Sequence, residues 1–125
     1  MRYLLDANCC IYLFTHAYPA LNRRVEATPL GEICLSAVTL AEVAHGSERG
    51  LAPSPKALDL LVQQMPVLPF DDEAARAYAK LPFERGNFDR LLAAHAQSRG
   101  LTLITRNTKH FGALPSLTVE DWTLS

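Results

Sequence analysis

The sequence has no apolar run near the roughly 20 residues that a membrane-spanning helix requires, which argues against a helical membrane protein. It has only three cysteines, two of them adjacent as Cys9-Cys10, a poor basis for a disulfide framework. No C-x-x-C occurs and no histidine stands at zinc-ligand spacing from these thiols, so a thiolate metal site is disfavoured. Their expected role is to pack as small apolar side chains. The opening residues lack the charged-then-apolar layout of a secretory signal, because Asp6 interrupts them early. The expectation is a cytoplasmic protein in a reducing compartment. Repeats, linkers and low-complexity stretches are also missing, and no Asn-Gly hairpin signal separates two apolar runs.

What is present is ordinary globular composition, with 49% hydrophobic and 20% charged residues among 125. A chain of that length forms one domain, residues 1–125, able to bury about two-thirds of its unfolded surface. The net charge of -1 conceals an asymmetry. Between Arg76 and His110 there are seven basic and two acidic residues, a net of +5. The rest of the chain is acidic, which suggests that this one segment faces a polyanion.

Apolar runs at Tyr3-Leu4-Leu5, Ile33-Cys34-Leu35, Val67-Leu68-Pro69-Phe70, Leu101–Ile104 and Leu117–Val119 read as short strands. Pro69 places the third at an edge or a strand end. Between them lie helical stretches. Asn8–Phe14 is followed by a helix opened by Pro19 and ended by Pro29. Ser36, Ser54 and Asp71 are set to open three more, and Gly46 and Gly50 weaken the far end of the helix after Ser36. Phe88–Ser98 is the most regular helix, with Phe88, Leu91 and Leu92 on one stripe and Gly100 at its C-terminal cap. Strands alternating with helices predict a single-domain three-layer α/β/α sandwich with a mainly parallel central sheet.

In such sheets ligands bind beyond the carboxyl ends of the strands. Asp6 follows the first strand, Glu42 lies in the helix after the second, Asp89 falls in a first helical turn, and Asn107 follows the Leu101–Ile104 strand. Three carboxylates and an amide meeting there would form an all-oxygen site suited to a hard divalent cation. Each residue also has a simpler explanation. Asp6 or Asn8 caps the first helix, Thr39-Leu40-Ala41-Glu42 fits a capping box, Asp89 answers the helix dipole and Asn107 fills a turn. Spacing alone leaves both sets open. His95 shares the stripe of Leu91 and Leu92, which makes it a core or interface histidine, and His110 is undecided.

Four stretches in order carry a resemblance: Leu4-Leu5-Asp6-Ala7-Asn8, Ser36–Glu42, Asn87–His95 and Thr102–Asn107, closed by Val119-Glu120-Asp121-Trp122. Together they resemble PIN-domain ribonucleases, in particular the VapC-type toxins of bacterial toxin–antitoxin pairs, from Tyr3 to Trp122. The resemblance implies a PIN-like fold and an endoribonuclease dependent on Mg²⁺, with Mn²⁺ able to substitute. It implies inhibition by a VapB-like antitoxin, a homodimer and a larger complex with that antitoxin. Asp6, Glu42 and Asp89 match the family's acidic positions, Asp6 and Asp89 being the expected direct metal ligands. Thr105 and Asn107 match the last motif, where many members carry an acid at or beside position 107. This chain has none there, so a fourth carboxylate and a second ion stay open. With that resemblance, a metal-bound carboxylate is expected of Asp6 rather than a helix cap. Asn8 is left as a cap or a partner of Asp6, and Arg85, Arg90, Arg106 and Lys109 as contacts to RNA phosphates. Two alternatives remain. One is a catalytically silent RNA- or protein-binding module. The other is an Mg²⁺-dependent phosphatase using Asp6, disfavoured because Asn8 stands where its second aspartate belongs.

Overall fold

The computed structural model describes residues 1–82, 88–111, 114 and 116–124. Its elements run β1 (Tyr3–Leu5), α1 (Ala7–Thr15), α2 (Pro19–Ala27), β2 (Ile33–Ser36), α3 (Ala37–Glu48), α4 (Pro55–Gln64), β3 (Val67–Leu68), α5 (Asp72–Ala79), α6 (Phe88–Arg99), β4 (Thr102–Ile104), α7 (Thr108–Phe111) and β5 (Val119–Glu120). The five strands form one sheet in the order β3-β2-β1-β4-β5, and all four neighbouring pairs are parallel.

Successive residues of a strand point to opposite faces, and that alternation divides the core into two layers. Leu5, Ile33, Leu35 and Ile104 face one side, where Cys9, Cys10, Leu21, Val43 and Leu58 of the helices α1 to α4 cover them. Leu4, Cys34 and Leu103 face the other, under Leu92, Ala93 and Ala96 of α6 and Phe111 of α7. Both faces of the sheet are therefore dry, and the three-layer α/β sandwich expected from the element order is the observed one. The edge position of β3, the small-apolar role of Cys9 and Cys10, and the N-caps at Ser36, Ser54 and Asp71 are also as expected.

Two local expectations give way. Phe88 is 53% exposed and lies off the buried face of α6, which is Leu92, Ala93, Ala94, His95 and Ala96. Five consecutive buried residues cannot be one stripe. They arise because α6 is wedged between the sheet, α3 and α5. Short alanine side chains let those elements approach closely, and alanine carries little weight in a reading of apolar periodicity. The last strand lies at Val119–Glu120, later than Leu117–Val119, because its register is set by pairing with β4. Beside it the buried Trp122 ring packs edge-on against Tyr3, centroids 4.8 Å apart, and its Nε1 donates to Glu120 Oε1 at 2.9 Å.

Candidate metal centre

The site grows from the carboxyl ends of the two central strands. β1 and β4 are paired through Leu5 and Ile104, so the residues that follow each strand emerge side by side. Asp6 follows Leu5, and its backbone N–H donates to the Ile104 carbonyl at 3.0 Å. Thr105 follows Ile104 and is fully buried. Its hydroxyl donates to the Asp6 carboxylate and accepts the backbone N–H of Asn107 at 3.1 Å. One hydroxyl thus ties the acid after β1 to the turn after β4.

Asp6 is also the N-cap of α1: its Oδ1 accepts the Cys9 N–H at 2.7 Å. The expectation that Asp6 would serve a metal rather than a cap is corrected on this point. Asn8 is the exposed second residue of α1, so the cap does not fall to it. Asp6 remains close to fully buried. Burial pushes its carboxyl above 3.8, the Thr105 hydroxyl and the Cys9 donors pull it down, and the Asp89 charge pushes it up again.

The capping-box alternative for Glu42 does not hold. Ser36 is the N-cap of α3, accepting the Val38 N–H at 3.0 Å, and Thr39 is already inside the helix. The Thr39 hydroxyl instead donates to the Leu5 carbonyl at 3.4 Å, fixing α3 to the end of β1. Glu42 follows three residues later, so it lies on the same face of α3 as Thr39. Burial raises its carboxyl above 4.5, and the charges of Asp89 and Asp6 raise it further. Asp89, the second residue of α6, completes this field of three acids from three elements.

Asn107 is exposed and contributes its backbone N–H to Thr105, as a turn residue does. Arg106 and Lys109 are exposed beside it, the Arg106 guanidinium 5.1 Å from the centroid of the Tyr18 ring. Arg90 is half-buried, with Nη1 out of solvent. Arg85 lies outside the described residues. The basic segment does not form one surface. Arg76 pairs with Asp72 at 2.9 Å, and Arg99 lies 3.9 Å from Asp71. Arg99 is ten residues beyond Asp89 on α6, which is about 15 Å along the axis. His95 is the core histidine expected, fully buried, with Nδ1 2.8 Å from Ser36 Oγ and its ring edge against Phe70. Two groups at the site went unread in the sequence: the bridging role of the Thr105 hydroxyl, and His110, whose Nε2 is 3.4 Å from Asp89 Oδ2. A hydroxyl directly after a buried strand, level with Asp6, was the available signal for the first.

The match to known proteins is decisive. The PIN-domain family model covers residues 3–115. This chain belongs to the PIN-domain family. A curated relative, the tRNA(fMet)-specific endonuclease VapC of Shigella flexneri, is 31% identical, with 98% of each chain covered. Among solved structures, VapBC-1 of nontypeable Haemophilus influenzae superposes with a TM-score of 0.81 at 29% identity, over 99% of this chain and 100% of that one. A toxin–antitoxin complex of Klebsiella pneumoniae reaches 0.75 at 25% identity, over 96% and 97%. The chain is thus a PIN domain of the VapC type.

PIN-domain nucleases of this type depend on a metal, and the donor set here suits one. Asp6, Glu42 and Asp89 offer only oxygen, and burial together with the charges of neighbouring acids raises Asp6 and Glu42, a strain that a cation relieves. Among the described residues no three His, Cys, Asp or Glu side chains close around a single point. A magnesium-like ion does not require that, since it takes one or two carboxylates and keeps several waters.

Proposed function

We propose that this PIN domain is an Mg²⁺-dependent endoribonuclease, the toxin of a toxin–antitoxin pair, and that it hydrolyses RNA phosphodiester bonds in the cytoplasm. The observation that carries the reading is the shared field of Asp6, Glu42 and Asp89 at the carboxyl edge of the sheet. Asp6 and Asp89 hold the ion, with Glu42 at its margin. When bound, Mg²⁺ supplies a Lewis acid for a phosphate oxygen and acidifies a neighbouring water.

The chain's own groups do the rest. Thr105 and the Cys9 N–H fix the direction of the Asp6 carboxylate and favour its charged form against its burial. Glu42, its carboxyl raised by burial and by the charges of Asp89 and Asp6, takes the proton of the attacking water on a carboxylate oxygen. Arg106 and Lys109 contact phosphates of the RNA, and Arg90 and Arg85 are further candidates for phosphate contacts. Asn107 offers the RNA an amide at the end of β4, where this sequence carries no fourth acid. The relatives' names, VapBC-1 and a toxin–antitoxin complex, support a VapB-like antitoxin as the partner, while its blocking of the site and a homodimer within a larger complex follow from the family resemblance. The initiator tRNA in the name of the Shigella relative is the first substrate to try.

The test is cleavage of total RNA and of initiator tRNA by protein freed of any antitoxin. Mg²⁺ supports the reaction and EDTA stops it. Asp89→Asn and Asp6→Asn each lower the rate by about 100-fold or more, in line with the several kcal/mol a catalytic ion contributes. Asparagine is as good an N-cap as aspartate, so Asp6→Asn removes the ligand charge while keeping the α1 cap. Cleavage by either variant at the wild-type rate removes that acid from the site. A folded, Mg²⁺-loaded protein that cleaves no RNA is a binding module instead.

A further inference from the structure

Arg24 and Arg106 each lie over an aromatic ring, and the two pairs are closed differently. The Arg24 guanidinium carbon is 4.7 Å from the centroid of Trp122, a ring only 2% exposed, and its Nη2 is 3.6 Å from Glu120 Oε1. A carboxylate answers its charge, and its ring belongs to the core. Arg76 and Arg99 are likewise taken by Asp72 and Asp71. Arg106 lies 5.1 Å from the centroid of Tyr18, and among the described residues no carboxylate stands within ion-pair distance of it. Arg106 is exposed and Tyr18 only half-buried. This second pair is open to a ligand.

Its place follows from the elements that carry it. Tyr18 is the N-cap residue of α2, yet its side chain makes no capping bond. Its ring packs edge-on against Tyr12 of α1, with centroids 4.8 Å apart and planes at 70°. A left-handed turn at His16 ends α1, and the Ala17 N–H donates to the Tyr12 carbonyl at 3.3 Å, which brings the two rings together across the corner. Tyr12 is six residues beyond Asp6, about 9 Å along the helix axis. Arg106 directly follows Thr105, whose hydroxyl donates to Asp6. Burial and Tyr18 push the Tyr12 phenol above 10.0, Arg106 pulls it down, and Cys9 and Asp6 push it up again, so the cluster borders the acid.

We propose that Tyr18 and Arg106, buttressed by Tyr12, form a stacking platform for an unpaired base of the RNA beside the metal centre. The inference rests on the endoribonuclease reading above and names the part of the substrate that this side of the site holds. Unpaired bases of RNA are held on tyrosine rings and on guanidinium planes, since every base has a π-face. A guanidinium is planar, so its face stacks while its edge N–H groups remain for a phosphate. Arg106 therefore serves the backbone and the base together. Tyr18 holds the guanidinium by cation–π attraction, and Tyr12 holds Tyr18 by its edge. Stacking reads no hydrogen-bonding edge, so the platform accepts any base. It selects for strand state instead, because a base in a duplex is already stacked on its neighbours. The scissile bond accordingly lies in a loop or an unpaired end.

The experiment is binding in EDTA, where no cleavage occurs. The probes are a short fluorescein-labelled oligouridine and an abasic strand of the same length, which keeps the phosphates and lacks the bases. Fluorescence anisotropy gives dissociation constants for the wild type, Tyr18→Leu, Tyr18→Phe and Arg106→Lys. The wild type binds oligouridine about tenfold more tightly than the abasic strand. Tyr18→Leu keeps apolar bulk without the ring, and Arg106→Lys keeps the charge without the plane. In both, the preference falls to about twofold or less, while the abasic strand binds as it does to the wild type. Tyr18→Phe retains the full preference. Arg106 is exposed, so Arg106→Lys is a folded protein even where Tyr18→Leu is not. Absent or equal binding of the two strands by the wild type overturns the platform. An undiminished preference in Arg106→Lys, or in folded Tyr18→Leu, overturns it as well. A wild type that prefers oligouridine yet cleaves no RNA in Mg²⁺ sinks the nuclease reading and leaves the platform standing.

Discussion

Replacing Thr105 by valine tests how an almost fully buried carboxylate is kept ready for a cation. The substitution preserves shape and removes one hydroxyl, which donates to Asp6 and accepts the Asn107 N–H. Asn107 is exposed, so its N–H finds water and that half of the loss is small. The Asp6 half is larger, because a hydrogen bond to a charged group is worth about 1.5–3 kcal/mol. With about 2 kcal/mol lost and an unfolding entropy of about 0.26 kcal/mol/K for a chain this long, melting falls by about 8 °C. The sign with pH follows from linkage. Asp6 has a folded value above its ordinary 3.8, so its ionisation lowers stability as pH rises from 3.8 through the folded value. Thr105 is the foremost of the groups opposing that rise, so Thr105→Val lifts the folded value further. The difference in melting between variant and wild type is therefore small near pH 3.5 and full at pH 8. Mn²⁺ affinity at pH 7 falls by about tenfold, since the carboxylate turns more freely. Thr105→Ser keeps the hydroxyl and retains wild-type Mn²⁺ affinity, losing only a buried methyl. The measurements are differential scanning calorimetry across pH and the Mn²⁺ titration. A melting difference equal at pH 3.5 and pH 8, or unchanged Mn²⁺ binding by Thr105→Val, would refute the reasoning.

Glu42→Gln should stabilise the metal-free protein at pH 7.5 by up to about 0.5 kcal/mol, a figure discounted for solvent screening at a half-exposed side chain. The gain shrinks below pH 4.5, where the raised carboxyl is protonated in both states, so equal gains at pH 4 and pH 7.5 would count against mutual repulsion among the acids. Cys9, Cys10 and Cys34 are buried, and burial raises all three thiols, Cys34 to about 11. They stay unreactive toward a disulfide reagent in the native protein and react together on unfolding, because the attacking species is the thiolate. Prompt labelling of Cys9 or Cys10 in the folded state would show that the core beside Asp6 opens.

What the sequence conveyed well was whatever is local and repeated. Apolar runs broken by Ser36, Ser54 and Asp71 mark strand ends and helix starts, since each of those side chains caps the helix that follows it. The order of elements then left few topologies open. What it conveyed poorly depends on a third body. Periodicity assumes one buried face and so puts Phe88 on a buried stripe, whereas α6 is covered by the sheet, α3 and α5. The net of +5 between Arg76 and His110 suggested a single phosphate-facing surface. Distance along a helix defeats that: Arg99 and Arg76 sit with Asp71 and Asp72, at the other end from Asp89. Arg106 and Lys109 remain on the side of the acids because they follow β4 directly, as Asp6 follows β1. Proximity to a strand end proved the better guide than proximity in sequence.

The same strand-end position lets Asp6 cap α1 and still face the other acids. A carboxylate has two oxygens with about four acceptor sites. Oδ1 takes the Cys9 N–H at 2.7 Å, and the Thr105 hydroxyl supplies a further donor. Acceptor sites are still left for a cation. The cap moreover assists the ligand. An acid this buried would otherwise favour its proton, and a protonated oxygen is a poor metal donor. The helix N-terminus and the hydroxyl lower that tendency without themselves competing for the ion. A pure ligand would need no helix start at position 7, and a pure cap would gain nothing from lying within the field of Asp89 and Glu42. The position of Asp6 combines both conditions. The α1 cap and the Thr105 hydroxyl thus both pull the buried acid toward its charged form, which is the form a cation would need.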